Sequence, residues 1–176
     1  MKTLTNTVVM SCLLLFMMGC SSDDDAGPAQ DPFVEPAVLG TVTFEDDPEV
    51  QYNLHQGILR IPVVRSEEWV LQVATKNWMS REDGIEVSFS FNSFSEDELE
   101  MGSYTVKEEA DMPGTVEVYG SAGGNVFAAL HGTVVVSMEN NIYTITWETT
   151  GSFWGGDETG SSGQYSGVLA HIIPNY

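Results

Sequence analysis

From Val38 onward, short runs of apolar and polar residues alternate along the chain, and Gly, Asn, Asp and Pro separate the runs. The clearest run is 85–91, in which Ile85, Val87, Phe89 and Phe91 fall on one face and polar residues fall on the other. A period of two predicts a β-strand with one packed face and one wet face. The same reasoning predicts strands near 38–44, 50–54, 58–64, 69–75, 103–107, 114–120, 126–137, 143–147 and 163–173.

About 8–10 short strands joined by turns predict an all-β domain. An antiparallel β-sandwich is the expected architecture, and a small lipocalin-like β-barrel is the alternative, since both give the same alternation. Trp69 and Trp147 fall within strand patterns and are expected in the core. Glu139-Asn140-Asn141 predicts a tight hairpin, because Asn tolerates the positive φ that such turns need.

The first nineteen residues have the pattern of a secretory signal peptide. Lys2 supplies a positive start, an apolar run covers 8–18, and Gly19 lies directly before Cys20. The apolar run is too short to span a membrane as a helix. The sequence therefore predicts a signal peptide at 1–19, an acidic and proline-rich disordered tether at 20–36, and one folded domain at 37–176.

Gly19-Cys20 resembles the lipobox of bacterial lipoproteins, although Met17 occupies a position where that family prefers Leu. The resemblance implies cleavage before Cys20, diacylation of its thiol and attachment to a membrane through the lipid. Cys12 would leave with the signal, so Cys20 would be the only cysteine of the mature chain, and lipidation accounts for it. Several acyl chains give stable anchoring.

The run Ser21-Ser22-Asp23-Asp24-Asp25 resembles the export signal of Bacteroidota lipoproteins, which implies an outer-membrane location facing the cell exterior. A solvated linker on a periplasm-facing protein is the alternative. The segments 99–106, 141–147 and 163–169 are similar to small β-domains of Bacteroidota surface lipoproteins. This resemblance implies fold and location, and it carries over no catalytic residues.

The charge of the chain excludes nucleic acid as a partner. Six Lys and Arg stand against 26 Asp and Glu, which gives a formal net charge of -20. Phosphates would be repelled by such a surface. The three histidines, His55, His131 and His171, belong to no metal-binding or nucleophile motif, so we expect that the protein is not an enzyme.

Acidic residues cluster at several expected turns. Oxygen-rich loops suit Ca²⁺, and the best candidate site consists of Glu45, Asp46, Asp47 and Glu49. A solvated anionic face that aids solubility is the alternative explanation, and no other cofactor is expected.

Two expected loops contain aromatic residues beside polar ones. Trp78 and Arg81 lie in 76–84, while Phe153, Trp154 and Asp157 lie in 151–163, a thirteen-residue stretch with five glycines. Indole faces next to hydrogen-bonding groups are how sugar-binding sites hold a pyranose ring. The alternative is that Trp78 and Trp154 fold back to cover an open end of the sheet.

These observations predict a non-catalytic ligand-binding β-domain, with glycan as the leading ligand class. The alternative is a structural or accessory subunit of a cell-surface complex, which would need an exposed apolar or edge-strand patch. A barrel that encloses a small apolar ligand is a third hypothesis, suggested by the small residues in 126–130.

Overall fold

The computed structural model describes residues 37–60, 68–75, 84–95, 98–154 and 156–172, and all of them belong to one unit, 36–176. These residues form eleven strands and no helix: β1 (Gly40–Phe44), β2 (Gln51–Leu54), β3 (Gln56–Arg60), β4 (Glu68–Ala74), β5 (Ile85–Asn92), β6 (Gly102–Val106), β7 (Thr115–Ala122), β8 (Asn125–Glu139), β9 (Ile142–Phe153), β10 (Glu158–Gly167) and β11 (Ala170–Ile172). In the same ranges, no helix has the length and apolar character needed to cross a membrane.

The all-β prediction is confirmed, but the antiparallel β-sandwich is wrong. All eleven strands belong to one hydrogen-bonded sheet, in the order β11-β3-β4-β5-β7-β6-β8-β9-β10-β1-β2, and this sheet curls into a half-barrel. The sheet is mixed, because β11 runs parallel to β3 and β6 runs parallel to β7. Alternation marks the buried face of each strand and does not show whether that face meets a second sheet or the same sheet after it curls.

The curl depends on a change of partner between β2 and β3, which only His55 separates. The Leu54 carbonyl accepts a hydrogen bond from the Leu39 N–H at 2.7 Å, on the β1 side. The next residue, His55, donates its N–H to the Ala74 carbonyl at 2.9 Å, at the end of β4. One continuous segment therefore pairs with β1 and with β4, which lie far apart in the sheet order.

The inner face of the curled sheet forms the core, as the alternation predicts. Ile85, Val87, Phe89 and Phe91 of β5 are at most 2% exposed. Trp69 and Trp147 are also buried, so their predicted place in the core is confirmed. Ring contacts join strands that are not neighbours in the sheet, since the Phe89 centroid of β5 lies 5.2 Å from that of Trp147 in β9 and the Phe91 centroid of β5 lies 4.7 Å from that of Tyr104 in β6.

A β-bulge in β8 reverses which residues face the core. The register with β9 shifts between Ala129 and His131. Before the bulge the odd-numbered Phe127 and Ala129 are buried, and after it the even-numbered Val134 and Val136 are buried. A bulge bends a strand and increases its twist, which suits a sheet that must curl.

The hairpin predicted at 139–141 is confirmed. Asn140 and Asn141 have φ of 52° and 63°, as expected for the two-residue turn that matches strand twist. The predicted strand 163–173 is two elements, β10 and β11. Residues 61–64 of the predicted strand 58–64 lie outside the described residues.

The prediction of a thirteen-residue loop at 151–163 is wrong, because β9 extends to Phe153 and β10 begins at Glu158. Two of its glycines, Gly151 and Gly163, make room for close contacts within the sheet. A Cβ on Gly151 would collide with the backbone of Ala128 and Ala129, and one on Gly163 would collide with the Trp147 ring. Glycine in a strand can mark a close approach of neighbouring groups, and here that signal was mistaken for a loop.

Gly151→Ala should lower the free energy of unfolding by about 1–3 kcal/mol, since its Cβ has no room beside the Ala128 carbonyl. Gly120→Ala is the matched control, because the nearest atom to its Cβ would lie at an ordinary 3.4 Å. The control should leave stability unchanged or raise it by up to about 1 kcal/mol. Urea denaturation measures both, and equal stability of the two variants would contradict the strand pairing of Gly151.

Candidate functional site

Three connections lie at one end of the half-barrel, which we call the loop end: those of β1–β2 (45–50), β7–β8 (123–124) and β9–β10 (described at 154, 156 and 157). At the same end β4 finishes and β5 begins. The registers place them together, because Phe44 pairs with Ser161 near the start of β10, Ile85 pairs with Ala122, and Phe127 pairs with Phe153. Binding residues are often placed on loops that a rigid sheet positions in this way.

Backbone hydrogen bonds hold two of these connections to neighbouring strands. The Glu45 N–H donates to the Gly160 carbonyl at 2.9 Å, and the Trp154 N–H donates to the Val126 carbonyl at 2.9 Å. The β7–β8 turn consists of Gly123 and Gly124, whose φ values of 56° and 82° suit a two-residue hairpin turn. The loop end is therefore largely preformed.

An aromatic cluster forms the floor beneath these connections. The ring centroid of Phe44 lies 5.7 Å from that of Phe127 and 5.3 Å from that of Phe153. The Tyr52 ring lies edge-on to Phe44 at 6.3 Å. Phe44 and Phe127 are buried, whereas Tyr52 and Phe153 are half-buried and present part of their surface upward. Edge-to-face packing of this kind fixes ring orientation.

Above this floor lies a cavity of about 600 Å³. Its volume falls within the ~300–1,000 Å³ of typical small-molecule sites. Its lining combines aromatic and apolar surface with polar groups: Phe44, Asp46, Asp47, Tyr52, Ile85, Ala122, Gly123, Asn125 and Phe153. Such a lining offers ring faces, two carboxylates, an amide and a phenol to a ligand.

Trp154 is at the tip of the β9–β10 hairpin and is 91% exposed. Its backbone is bonded to Val126, itself 45% exposed, and its neighbour Phe153 lines the cavity. A tryptophan this exposed gains nothing from core packing. The expectation that Trp154 folds back over an open end is therefore wrong, and its indole is free to contact a ligand.

The charges described in the β1–β2, β7–β8 and β9–β10 connections are all acidic. Asp46 and Asp47 line the cavity, and Glu45, Glu49 and Asp157 are exposed nearby along the chain. These carboxylates disfavour an anionic group close to Asp46 and Asp47.

The structure places the predicted binding residues unequally. Phe153 lines the cavity, and Trp154 and Asp157 lie in the adjoining turn. Trp78 and Arg81 fall in 76–83, outside the described residues. The strand ends that flank that segment are bonded at the loop end, where the Thr75 N–H donates to the Ile85 carbonyl at 3.0 Å. Cys20 also falls outside the described residues.

The four candidate calcium ligands do not converge. Glu45 lies over Gly160, where its carboxylate fills the space that a Cβ would occupy, whereas Asp46 and Asp47 line the cavity. Among the residues that the structure describes, no group of three His, Cys, Asp or Glu side chains is placed to hold a metal ion. The arrangement gives the calcium prediction no support.

Sequence reasoning missed Phe44, Tyr52 and Asn125 as cavity residues. Phe44 and Tyr52 flank the acidic turn 45–50 on paired strands, which places both rings beside Asp46 and Asp47. The Gly123-Gly124 pair is a strong hairpin signal and could have placed Asn125 at a strand start beside a turn.

Comparison with protein-family models, with curated proteins and with solved structures finds no match to this chain. The functional argument therefore depends on the residues themselves.

Proposed function

We propose that this chain is an outer-membrane lipoprotein that displays a non-catalytic, glycan-binding β-domain on the cell exterior. The observation that carries the binding proposal is the 91% exposed indole of Trp154, the residue that follows Phe153 in the lining of a polar and aromatic cavity. The location is supported by the signal at 1–19, the Gly19-Cys20 pair and the acidic tether.

The chemistry of the loop end suits a sugar. A pyranose ring has apolar C–H faces and hydroxyl edges, so it needs flat rings for the first and hydrogen-bonding groups for the second. Trp154 and the half-buried Tyr52 and Phe153 supply the rings. Asp46, Asp47 and Asn125 supply acceptors and a donor within the same cavity.

Binding fits the cavity better than hydrolysis does. Glycosidases use two carboxyl groups that flank the scissile bond. Asp46 and Asp47 are adjacent residues of one turn and would approach a sugar from the same side. Among the described residues that line the cavity, no His, Ser or Cys could serve as a base or nucleophile beside them.

The acidic field narrows the ligand class to neutral glycans. Uronic acids and sulfated sugars would bring negative charge next to Asp46 and Asp47, and like charges at such distances repel. A neutral polysaccharide avoids this cost and still offers hydroxyl donors to the carboxylates.

Trp154→Ala should weaken binding of a neutral oligosaccharide by at least about tenfold, because a central aromatic contact is lost. The matched control is Phe94→Ala, which removes a ring that is 69% exposed in the connection after β5, away from the loop end. Calorimetric titration of residues 21–176 with a panel of neutral and acidic glycans measures both. If no glycan of the panel binds, or if Trp154→Ala binds as tightly as the unmodified chain, the glycan proposal is refuted and the accessory-subunit alternative is favoured.

Cys20→Ser should abolish incorporation of labelled palmitate and release the protein from the membrane fraction, because no other cysteine would remain in the mature chain. Protease added to intact cells should digest the unmodified protein if it faces the exterior. Protection until the outer membrane is broken would instead indicate the periplasm-facing alternative.

A further inference from the structure

A second cavity lies at the opposite end of the half-barrel, which we call the far end. Its volume is about 650 Å³, and its lining includes Leu59, Trp69, Leu99, Met138 and Tyr143. Tyr143 is the second residue of β9 and Phe153 is its last, so the two cavities are roughly 33 Å apart along that strand. The small residues of 126–130, which suggested a barrel that encloses an apolar ligand, are not among the described residues that line this cavity.

The far-end cavity contains an unusual buried donor. Trp69 is only 5% exposed, and its indole N–H has no hydrogen-bond acceptor in the part of the chain that the structure describes. Trp147, which is 3% exposed, donates its indole N–H to the Ser161 hydroxyl at 3.4 Å. A buried donor without an acceptor is destabilising. The Trp69 N–H itself has essentially no accessible surface, so a ligand in the cavity would contact the indole ring and not its N–H.

The apolar wall beside Trp69 is held in place by polar contacts. The Ser93 hydroxyl donates to the Glu98 carbonyl at 3.2 Å and accepts from the Glu100 N–H at 3.3 Å. The Tyr104 hydroxyl donates to the Glu100 carbonyl at 2.7 Å. These bonds fix the segment on both sides of Leu99, which is 4% exposed. The cavity is therefore preformed, which lowers the entropic cost of binding.

The rim of the cavity is polar and mostly acidic. Glu98, Glu100 and His171 contribute to the lining, and Glu98 is exposed. Burial, followed by the negative charge of Glu98, raises the pKa of the Tyr143 hydroxyl. Tyr143 is therefore an uncharged O–H near neutral pH. Two carboxylates at the rim disfavour a carboxylate or sulfonate ligand.

We propose that the far-end cavity binds a small uncharged amphiphile, with its apolar body against Leu59, Leu99 and Met138 and a carbonyl or ether oxygen at the Tyr143 hydroxyl. This site is independent of the glycan proposal, because it shares no residue with the loop-end cavity.

The probe for the test is prodan, a neutral naphthalene ketone whose emission shifts to the blue in apolar surroundings. The protein is the mature chain from residue 20 with Cys20→Ser, so that no attached lipid competes. Prodan should bind saturably, one molecule to each chain. Tyr143→Phe should weaken binding by roughly three- to tenfold through loss of the hydrogen bond, whereas Trp154→Phe should leave it unchanged.

A second pair of variants avoids the core. Met138 and Val135 lie on β8 and are 46% and 42% exposed, but only Met138 lines the cavity. Met138→Glu should weaken prodan binding by at least about tenfold, and Val135→Glu should leave it unchanged. The anionic probe anilinonaphthalene sulfonate should bind more weakly than prodan and should gain affinity in Glu98→Gln.

Absence of saturable prodan binding would overturn the proposal. So would equal binding by Met138→Glu and Val135→Glu, or by Tyr143→Phe and the unmodified chain when circular dichroism shows both to be folded.

Discussion

The fold depends on one segment, 51–60, that serves both ends of a single sheet. At Leu54 and His55 the backbone changes its partner from the β1 side to the end of β4 within one residue. A flat sheet cannot satisfy both sets of hydrogen bonds, so the sheet must curl. The contact across the interior is close, since a Cβ on Gly57 would collide with the side chains of Tyr165 and Leu169. Tyr165 is fully buried and donates its hydroxyl to the Val168 carbonyl at 3.1 Å, which fixes the ring in that position.

This curl gives the molecule two ends with different chemistry. At the loop end, three short connections bring Asp46, Asp47 and Asn125 above the floor formed by Phe44 and Phe153. At the far end, buried apolar side chains surround an indole N–H that has no acceptor among the described residues. The long strands β8 and β9 connect the two ends, and the bulge at Ala129 and His131 turns Phe127 on one side of it and Val134 on the other toward the core. One core thus supports two sites that are too far apart to share a small ligand.

Local patterns predicted the strands well and their assembly poorly. The alternation at 85–91 identifies β5 because side-chain direction in a strand depends only on sequence spacing. The choice between a sandwich and a curled sheet depends on which strands pair with 51–60. Some of these strands are distant in sequence, so the local pattern of 51–60 does not predict the pairing. The glycines at 151–163 led to a wrong prediction of a loop, because Gly151 and Gly163 make room for neighbouring atoms within the sheet.

For the loop-end site, composition identified Phe153, Trp154 and the acids, but Tyr52 and Asn125 emerged only from strand pairing. The far-end cavity had no counterpart in the sequence, because an unpaired donor is a property of the packed structure.

The central claim is that two chemically distinct sites lie at opposite ends of one curled sheet, and the indole N–H groups of the four tryptophans report on it directly. A two-dimensional proton–nitrogen NMR spectrum, assigned with single Trp→Phe variants, resolves these signals. A neutral oligosaccharide should shift the Trp154 signal and leave the Trp69 signal unchanged. Prodan should shift the Trp69 signal and leave the Trp154 signal unchanged. The Trp147 signal, whose N–H is bonded to Ser161, should stay fixed in both titrations. If both ligands shift the same indole signal, or if one ligand displaces the other, the claim of two separate sites is contradicted.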